Sequence, residues 1–363
     1  MKIIQILKHT NLGGITTYVY TLTKYLRRRN IEVAVASSGG SWDEKFHKLG
    51  VKTFSLPTNT KSELSPKVIA SIRGLYSIKK EFDFDIIHSH TRVTQVIAQG
   101  FSTISKTPHL ATFHGFYGKN KKRKGRKIIK AQGLRSVAIT PEVKRDLVEI
   151  FGADPEKIKV VISGIDLERF DKNIPALELG GSPKIGSAGR LSEVKGFSYL
   201  IKSIPEIIKE YPNAHFYIAG EGPQEDELRH LAEKLKVSQR LTILREENLG
   251  KFLSALDIFC YPSLEEPLGL SVLEAQYFGL PCVVSDVGGL KILVDNLKTG
   301  IRVPAASSHA IASAVKKLIN DYVLAKTISE NSHKQVIENF DAADRAEEYI
   351  KIYKEVLDEN TSR

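Results

Sequence analysis

Short apolar runs alternate along the chain with stretches in which apolar residues recur at helical spacing. KIIQIL (2–7) reads as a strand, ITTYVYTLTKYLRRR (15–29) as an amphipathic helix and IEVAVAS (31–37) as the next strand. FDIIHSH (84–90), HLATFH (109–114), LRSVAIT (134–140) and IKVVIS (158–163) continue the series. From residue 183 the rhythm restarts with PKIGSAG, AHFYIAG, RLTILRE, LDIFCYPS, PCVVSD and GIRVP. Runs that are apolar throughout, without strict alternation, predict parallel strands covered by helices on both faces, an α/β fold. Thr140-Pro141 and Asp154-Pro155-Glu156 set a capping side chain before a proline, so helices are expected to begin there.

Between the two series, residues 162–184 carry glycine, proline and charge without a period, which places a linker there. A chain of 363 residues exceeds what one hydrophobic core usually serves. The expected organisation is one Rossmann-like domain over 1–165, a second over 166–343, and an amphipathic closing helix over about 344–363.

Composition narrows the class. Hydrophobic residues make up 42% and charged residues 26%, ordinary for a soluble protein, and no apolar run approaches the roughly 18–20 residues that cross a bilayer. The apolar stretch after Met1 is too short for a signal sequence, so a cytoplasmic location is expected. Cys260 and Cys282 sit in strand-like runs without metal-ligand spacing and read as buried free thiols. The net charge of +11 is uneven: residues 1–165 hold 29 Lys and Arg against 12 Asp and Glu, or +17, and residues 166–363 hold 24 against 30, or −6. Lys119, Lys121, Lys122, Arg123, Lys124, Arg126 and Lys127 form an acid-free run. Alone such a run reads as a solvated loop; in a half that is basic throughout, an anionic membrane surface met through Lys119 to Lys127 becomes the expected partner. Nucleic acid is not expected, because the run lacks interleaved aromatics and the second half would repel a long polyanion.

The candidate chemistry lies at strand ends. Gly13-Gly14 follow the first strand and precede its helix, so bare amides could approach a phosphate there; a plain strand-to-helix turn is the alternative. Thr17 stands where a dinucleotide fingerprint needs a third glycine, and the second strand ends in Ser37-Ser38 rather than an acid, which argues against a dinucleotide. In GRLSEVKG, Arg190 and Lys195 leave a strand's carboxyl end between glycines, where open α/β sheets bind ligands, and suit a diphosphate better than a pair of surface charges. In EEPLGLSVLEAQYFGLP a helix opens after Pro267, leaving the amides of Gly269, Leu270 and Ser271 free beside Glu266; Glu274 follows inside that helix. Carboxylates accept from sugar and ribose hydroxyls, although a carboxylate in a first helical turn also has a dipole-based explanation. His88 and His90 share a strand face without a third metal ligand, so no metal site is expected. His114 precedes a glycine and reads either as a polar contact to ligand or as a loop histidine.

Taken together, Gly13-Gly14, TFHG around His114, GR and KG at Arg190 and Lys195, AGEGP around Gly220, the Glu266/Glu274 pair and DVGGLKILVDNLKTGIRVP resemble the retaining glycosyltransferases of GT-B architecture, the family-four group, over nearly the whole chain. The resemblance implies two facing Rossmann-like domains around a deep cleft, with a C-terminal helix crossing back to the N-terminal, acceptor-side domain. It assigns the diphosphate to Arg190 and Lys195, the ribose hydroxyls to Glu274, the donor sugar to Glu266, the phosphate approach to Gly14 and a place near the reacting carbon to His114. Ile15-Thr16 stand where the family often carries an acid after the glycine pair. HSHTRVTQV followed by TFHGFYG resembles enzymes of lipopolysaccharide and other surface glycans.

The expected function is therefore a metal-independent, cofactor-free retaining transfer from a nucleotide-diphosphate sugar to a lipid-linked or cell-surface glycan at the inner face of the cytoplasmic membrane. A backbone contact near Arg245 to Asn248 is expected to select the base. A catalytically idle nucleotide-sugar sensor, or an epimerase or phosphorylase of the same fold, are the alternatives, separable by turnover and product analysis.

Overall fold

The structure, a computed structural model, describes residues 1–115, 131–170, 174–246 and 248–362 and divides into two units, Met1–Ser163 with Ala342–Arg363, and Gly164–Asp341. The basic run Lys119 to Lys127 lies outside the described residues. The division falls two residues before 165/166 and 343/344, because Ile165 bridges Asp341 and its amide bonds the Phe340 carbonyl at 2.9 Å, tying both crossings into the second unit.

In the first unit, strands β1 (Lys2–Ile6), β2 (Glu32–Ser37), β3 (Lys52–Ser55), β4 (Ile86–Ser89), β5 (His109–Phe113), β6 (Arg135–Ala138) and β7 (Ile158–Val160) form a parallel sheet in the order β3-β2-β1-β4-β5-β6-β7. Helices α1 (Gly14–Arg28), α2 (Asp43–Lys48), α3 (Pro66–Glu81), α4 (Arg92–Ser105) and α5 (Pro141–Phe151) connect them. Thr140 caps α5 by accepting from the Val143 amide at 3.3 Å, with Pro141 in the first turn where no amide is needed. Asp154 caps only a single 3₁₀ turn, since β7 begins three residues after Pro155. The sheet face with Ile3, Leu7, Val33 and Val35 is covered by Tyr18, Leu22 and Tyr25 of α1 together with the chain's closing helix.

In the second unit, β8 (Lys184–Ala188), β9 (His215–Ala219), β10 (Leu241–Leu244), β11 (Ile258–Tyr261), β12 (Cys282–Ser285) and β13 (Ile301–Val303) are parallel in the order β10-β9-β8-β11-β12-β13. Its helices are α6 (Phe197–Glu210), α7 (Glu225–Lys234), α8 (Leu249–Leu253), α9 (Leu270–Tyr277), α10 (Leu290–Leu293), α11 (Ser308–Asn320) and α12 (Tyr322–Asn339). Cys260 and Cys282 are buried free thiols here, and burial pushes both thiol pKa values well up.

The chain then returns to the first unit as α13 (Ala342–Thr361), which buries Ala346, Tyr349, Tyr353 and Val356, one stripe at helical period. Arg135 joins it from β6, pairing with Glu355 at 3.0 Å and Glu359 at 3.2 Å. Among the described residues no helix is long and apolar enough to cross a membrane.

Candidate nucleotide-sugar site

Each sheet changes direction of travel once, between β1 and β4 in the first unit and between β8 and β11 in the second. Open α/β sheets bind ligands outside the carboxyl ends of the strands at such a point, because the connecting loops part there. In the second unit the loops after β8 and β11 carry Arg190, Lys195 and Glu266.

Gly196 brings two of these together. Its φ is +64°, and a Cβ there would lie 2.1 Å from the Pro262 carbonyl, so only glycine lets the loop after β8 press against the end of β11. Lys195 Nζ thereby donates to the Tyr261 hydroxyl at 2.6 Å and to the Glu266 carboxylate in a shorter contact. Tyr261 donates to Glu266 Oε2 at 2.9 Å, and the Ser263 hydroxyl lies 3.5 Å from the same oxygen. The pair is largely withdrawn from water, with side-chain exposures of 16% for Lys195 and 7% for Glu266. Such burial is tolerated because several donors share one oxygen. No hydrogen bond reaches Glu266 Oε1 among the described residues, which leaves it to accept from a ligand. Burial and the neighbouring carboxylates, Glu266 and then Glu274, raise the Tyr261 pKa well above the phenolic range.

Glu266 leads directly into α9. Its carbonyl accepts from the Gly289 amide at 2.9 Å, and Gly269 adopts φ +102° packed against Leu290, where a Cβ would come within 2.6 Å of Leu290 Cδ2. The amides of Gly269, Leu270 and Ser271 have no acceptor among the described residues and mark the positive end of the helix. Glu274, one turn on, is buried with Arg169 Nη1 3.9 Å away. Burial pushes its pKa up to about 7, and Arg169 opposes the shift.

Lys195 and Glu266 therefore touch, and Glu274 stands close enough for its charge to act on Tyr261. Arg190 is exposed, and its guanidinium meets no partner among the described residues. It leaves β8 beside the same tyrosine: a Cβ on Gly189 would lie 4.0 Å from the Tyr261 hydroxyl. Tyr261, Ser263 and Arg169 were not singled out by the sequence. The signal for the first two was their place at the carboxyl end of LDIFCYPS, the strand next to GRLSEVKG in the sheet. Asn248 caps α8 by accepting from the Gly250 amide at 3.1 Å, while residue 247 lies outside the described residues.

In the first unit Gly13 and Gly14 are exposed at the start of α1, and a Cβ on either meets nothing within 4 Å. Gly13 is extended, with φ 166°, so neither packing nor backbone shape in the protein itself calls for glycine there. His114 follows β5. Its Nε2 lies 3.2 Å from His90 Nδ1, its ring meets Tyr18 edge-on at 4.8 Å, and burial pushes its pKa down to about 3. His88 and His90 have both ring nitrogens engaged by protein groups: His88 by Tyr353 and Thr112, His90 by Gln5 and His114. Among the described residues no group of three His, Cys, Asp or Glu side chains has metal-binding geometry.

Comparison with known proteins gives this arrangement its family. The model for "Glycosyl transferases group 1" matches residues 154–335, half of the chain, and the model for "Glycosyltransferase Family 4" matches residues 12–169. An uncharacterized glycosyltransferase of Methanocaldococcus jannaschii is 27% identical, the match covering 94% of each chain. The Escherichia coli UDP-Gal:alpha-D-GlcNAc-diphosphoundecaprenol alpha-1,3-galactosyltransferase is 27% identical, the match covering 85% of this chain and 84% of the relative. The crystal structure of Anabaena HepE in complex with UDP and glucose superposes with a TM-score of 0.84 at 19% identity, over 98% of this chain and all of that one. The chain thus belongs to the group 1, family 4 glycosyltransferases and has their two-domain α/β GT-B fold.

Proposed function

We propose that the second unit binds a nucleotide-diphosphate sugar and that the enzyme transfers the sugar, with retention and without a metal, to a lipid-linked or cell-surface glycan. The observation that carries this is the Lys195–Tyr261–Glu266 cluster at the switch point, set beside the unpaired amides of α9 and the unpartnered Arg190. Ammonium, guanidinium and helix amides suit a diphosphate, and Glu266 Oε1 and Glu274 suit hydroxyls of the sugar and ribose. The named donor and acceptor of the E. coli relative, and the UDP and glucose held by the Anabaena protein, support the same ligand class.

In the transfer step the bond between the sugar's anomeric carbon and the β-phosphate oxygen breaks, and its electron pair stays on the phosphate. Arg190, Lys195 and the α9 amides stabilise that growing charge, which is the work a divalent metal would otherwise do. The acceptor hydroxyl forms its bond on the same face, and its proton passes to the leaving phosphate. Glu266 serves this route by accepting from the donor sugar through Oε1 while Lys195, Tyr261 and Ser263 hold Oε2, and the route requires no protein nucleophile. Acceptor binding is assigned to the first unit, where His114 and the open start of α1 stand.

A charge-assisted hydrogen bond contributes roughly 1.5–3 kcal/mol, so Lys195→Ala should lower transfer at least about tenfold. Circular dichroism melting checks that the fold survives loss of Glu266's partner. A folded Lys195→Ala enzyme with near wild-type turnover would remove the diphosphate assignment.

A further inference from the structure

Gln5 is fully buried in β1, an interior strand of the first sheet, among the apolar Ile3, Ile4 and Ile6. An amide in such a place is destabilising unless partners meet it. It lies on the face covered by α1 and α13, since Ile3 and Leu7, two positions either side, belong to that core. Gln5 Oε1 lies 2.5 Å from His90 Nε2, and His90 Nδ1 lies 3.2 Å from His114 Nε2. On its other side Gln5 Nε2 donates to the Tyr353 hydroxyl of α13 at 3.5 Å. That hydroxyl lies 2.7 Å from His88 Nδ1, whose Nε2 lies 2.7 Å from Thr112 Oγ1. Register assembles the row: Gln5 stands opposite His88 across β1 and β4.

A neutral imidazole donates from one nitrogen and accepts at the other. Burial lowers the pKa values of His88, His90 and His114 alike, so all three are neutral near pH 7. Direction is then passed along the row. With the Gln5 carbonyl toward His90, Nε2 of His90 must donate, its Nδ1 must accept, and His114 must carry its proton on Nε2. His114 Nδ1 is left bare, with no partner among the described residues. The other half agrees: Tyr353 accepts from Gln5 and donates to His88 Nδ1, and His88 Nε2–H donates to Thr112. Turning the Gln5 amide over reverses every proton and makes His114 Nδ1 a donor.

We propose that Gln5, held by Tyr353 of the closing helix, is a positioning residue that sets His114 to the tautomer with a bare Nδ1, ready to accept from a hydroxyl of a sugar substrate. The use of that nitrogen rests on reading His114 as a sugar contact; the setting of the tautomer does not. Nitrogen-15 NMR of the full-length, histidine-labelled protein without substrate separates the two. Wild type should show a pyridine-type Nδ1 and a pyrrole-type Nε2 on His114. Gln5→Leu, an apolar residue of similar length in an apolar strand, should mix the two tautomers and lower kcat about tenfold, the loss of one hydrogen bond, with donor KM within about twofold. Gln5→Glu, which can only accept when ionised, should keep the wild-type tautomer. Tyr353→Phe should shift the same signals as Gln5→Leu and stands in for it if that variant does not fold. A protonated Nδ1 in the wild type, or an unchanged tautomer in whichever of the Gln5→Leu and Tyr353→Phe variants is folded, overturns the proposal. A tautomer that follows Gln5 while turnover does not change supports the relay and sinks only the sugar contact.

Discussion

Glu266 and Glu274 are buried carboxylates in one unit, and their surroundings treat them in opposite ways. Glu266 is met by Lys195, Tyr261 and Ser263, whereas among the described residues Glu274 has only Arg169, 3.9 Å away, and a pKa pushed up from 4.5 to about 7. Below about pH 4.5 Glu274 is neutral folded and unfolded, and its burial is then least unfavourable. Between about pH 4.5 and about pH 7 the unfolded chain ionises while the folded carboxyl keeps its proton, so up to about 3 kcal/mol of stability is lost over that interval, and the loss is complete once pH passes about 7. Melting of the ligand-free protein should therefore lose stability over that window, and Glu274→Gln should flatten the loss. Ribose hydroxyls favour the ionised form, so the same ionisation should strengthen nucleoside diphosphate binding between about pH 6 and pH 8. Calorimetric titration checks this: wild-type affinity should gain more over the interval than that of Glu274→Gln. Equal gains in the two proteins would contradict the ribose role.

At the scale of elements, legibility followed burial. The central strands are covered on both faces and announce themselves as apolar runs. β3 does not, because Lys52 is exposed and Thr53 and Phe54 are only half-buried at the sheet's edge. The period of α13 was readable, but its docking place was not: Tyr349 meets Thr112 at 3.0 Å across 237 residues, and in the sequence only family resemblance pointed there. Arg190 and Lys195 stood out because glycines flank them, whereas Tyr261 and Gln5 were hidden inside apolar runs where a single polar atom carries no periodic signal. An anionic membrane surface is the partner we propose for the basic run Lys119 to Lys127, which lies outside the described residues. Each basic side chain near an anionic membrane contributes about 1 kcal/mol, so sedimentation with anionic liposomes should weaken as salt rises. Equal binding to neutral vesicles would exclude this partner.

Across the whole molecule, one strand order serves twice: both sheets run 3-2-1-4-5-6 in their own numbering, and the first adds a seventh strand. The two switch points carry different chemistry. The first has neutral imidazoles and an amide, suited to hydroxyl groups, and the second has cations beside unpaired amides, suited to phosphate. Residues 166–363 carry a net charge of −6, so the phosphate role proposed for Arg190 and Lys195 lies in an acidic half, which favours a small anion over a long one. A crystal structure of the enzyme with an intact nucleoside diphosphate hexose tests this most directly. The pyrophosphate oxygens should lie about 3 Å from Lys195 Nζ, the Arg190 guanidinium and the Leu270 and Ser271 amides, with the ribose hydroxyls on Glu274. A pyrophosphate seated away from the ends of β8 and β11 would contradict the account.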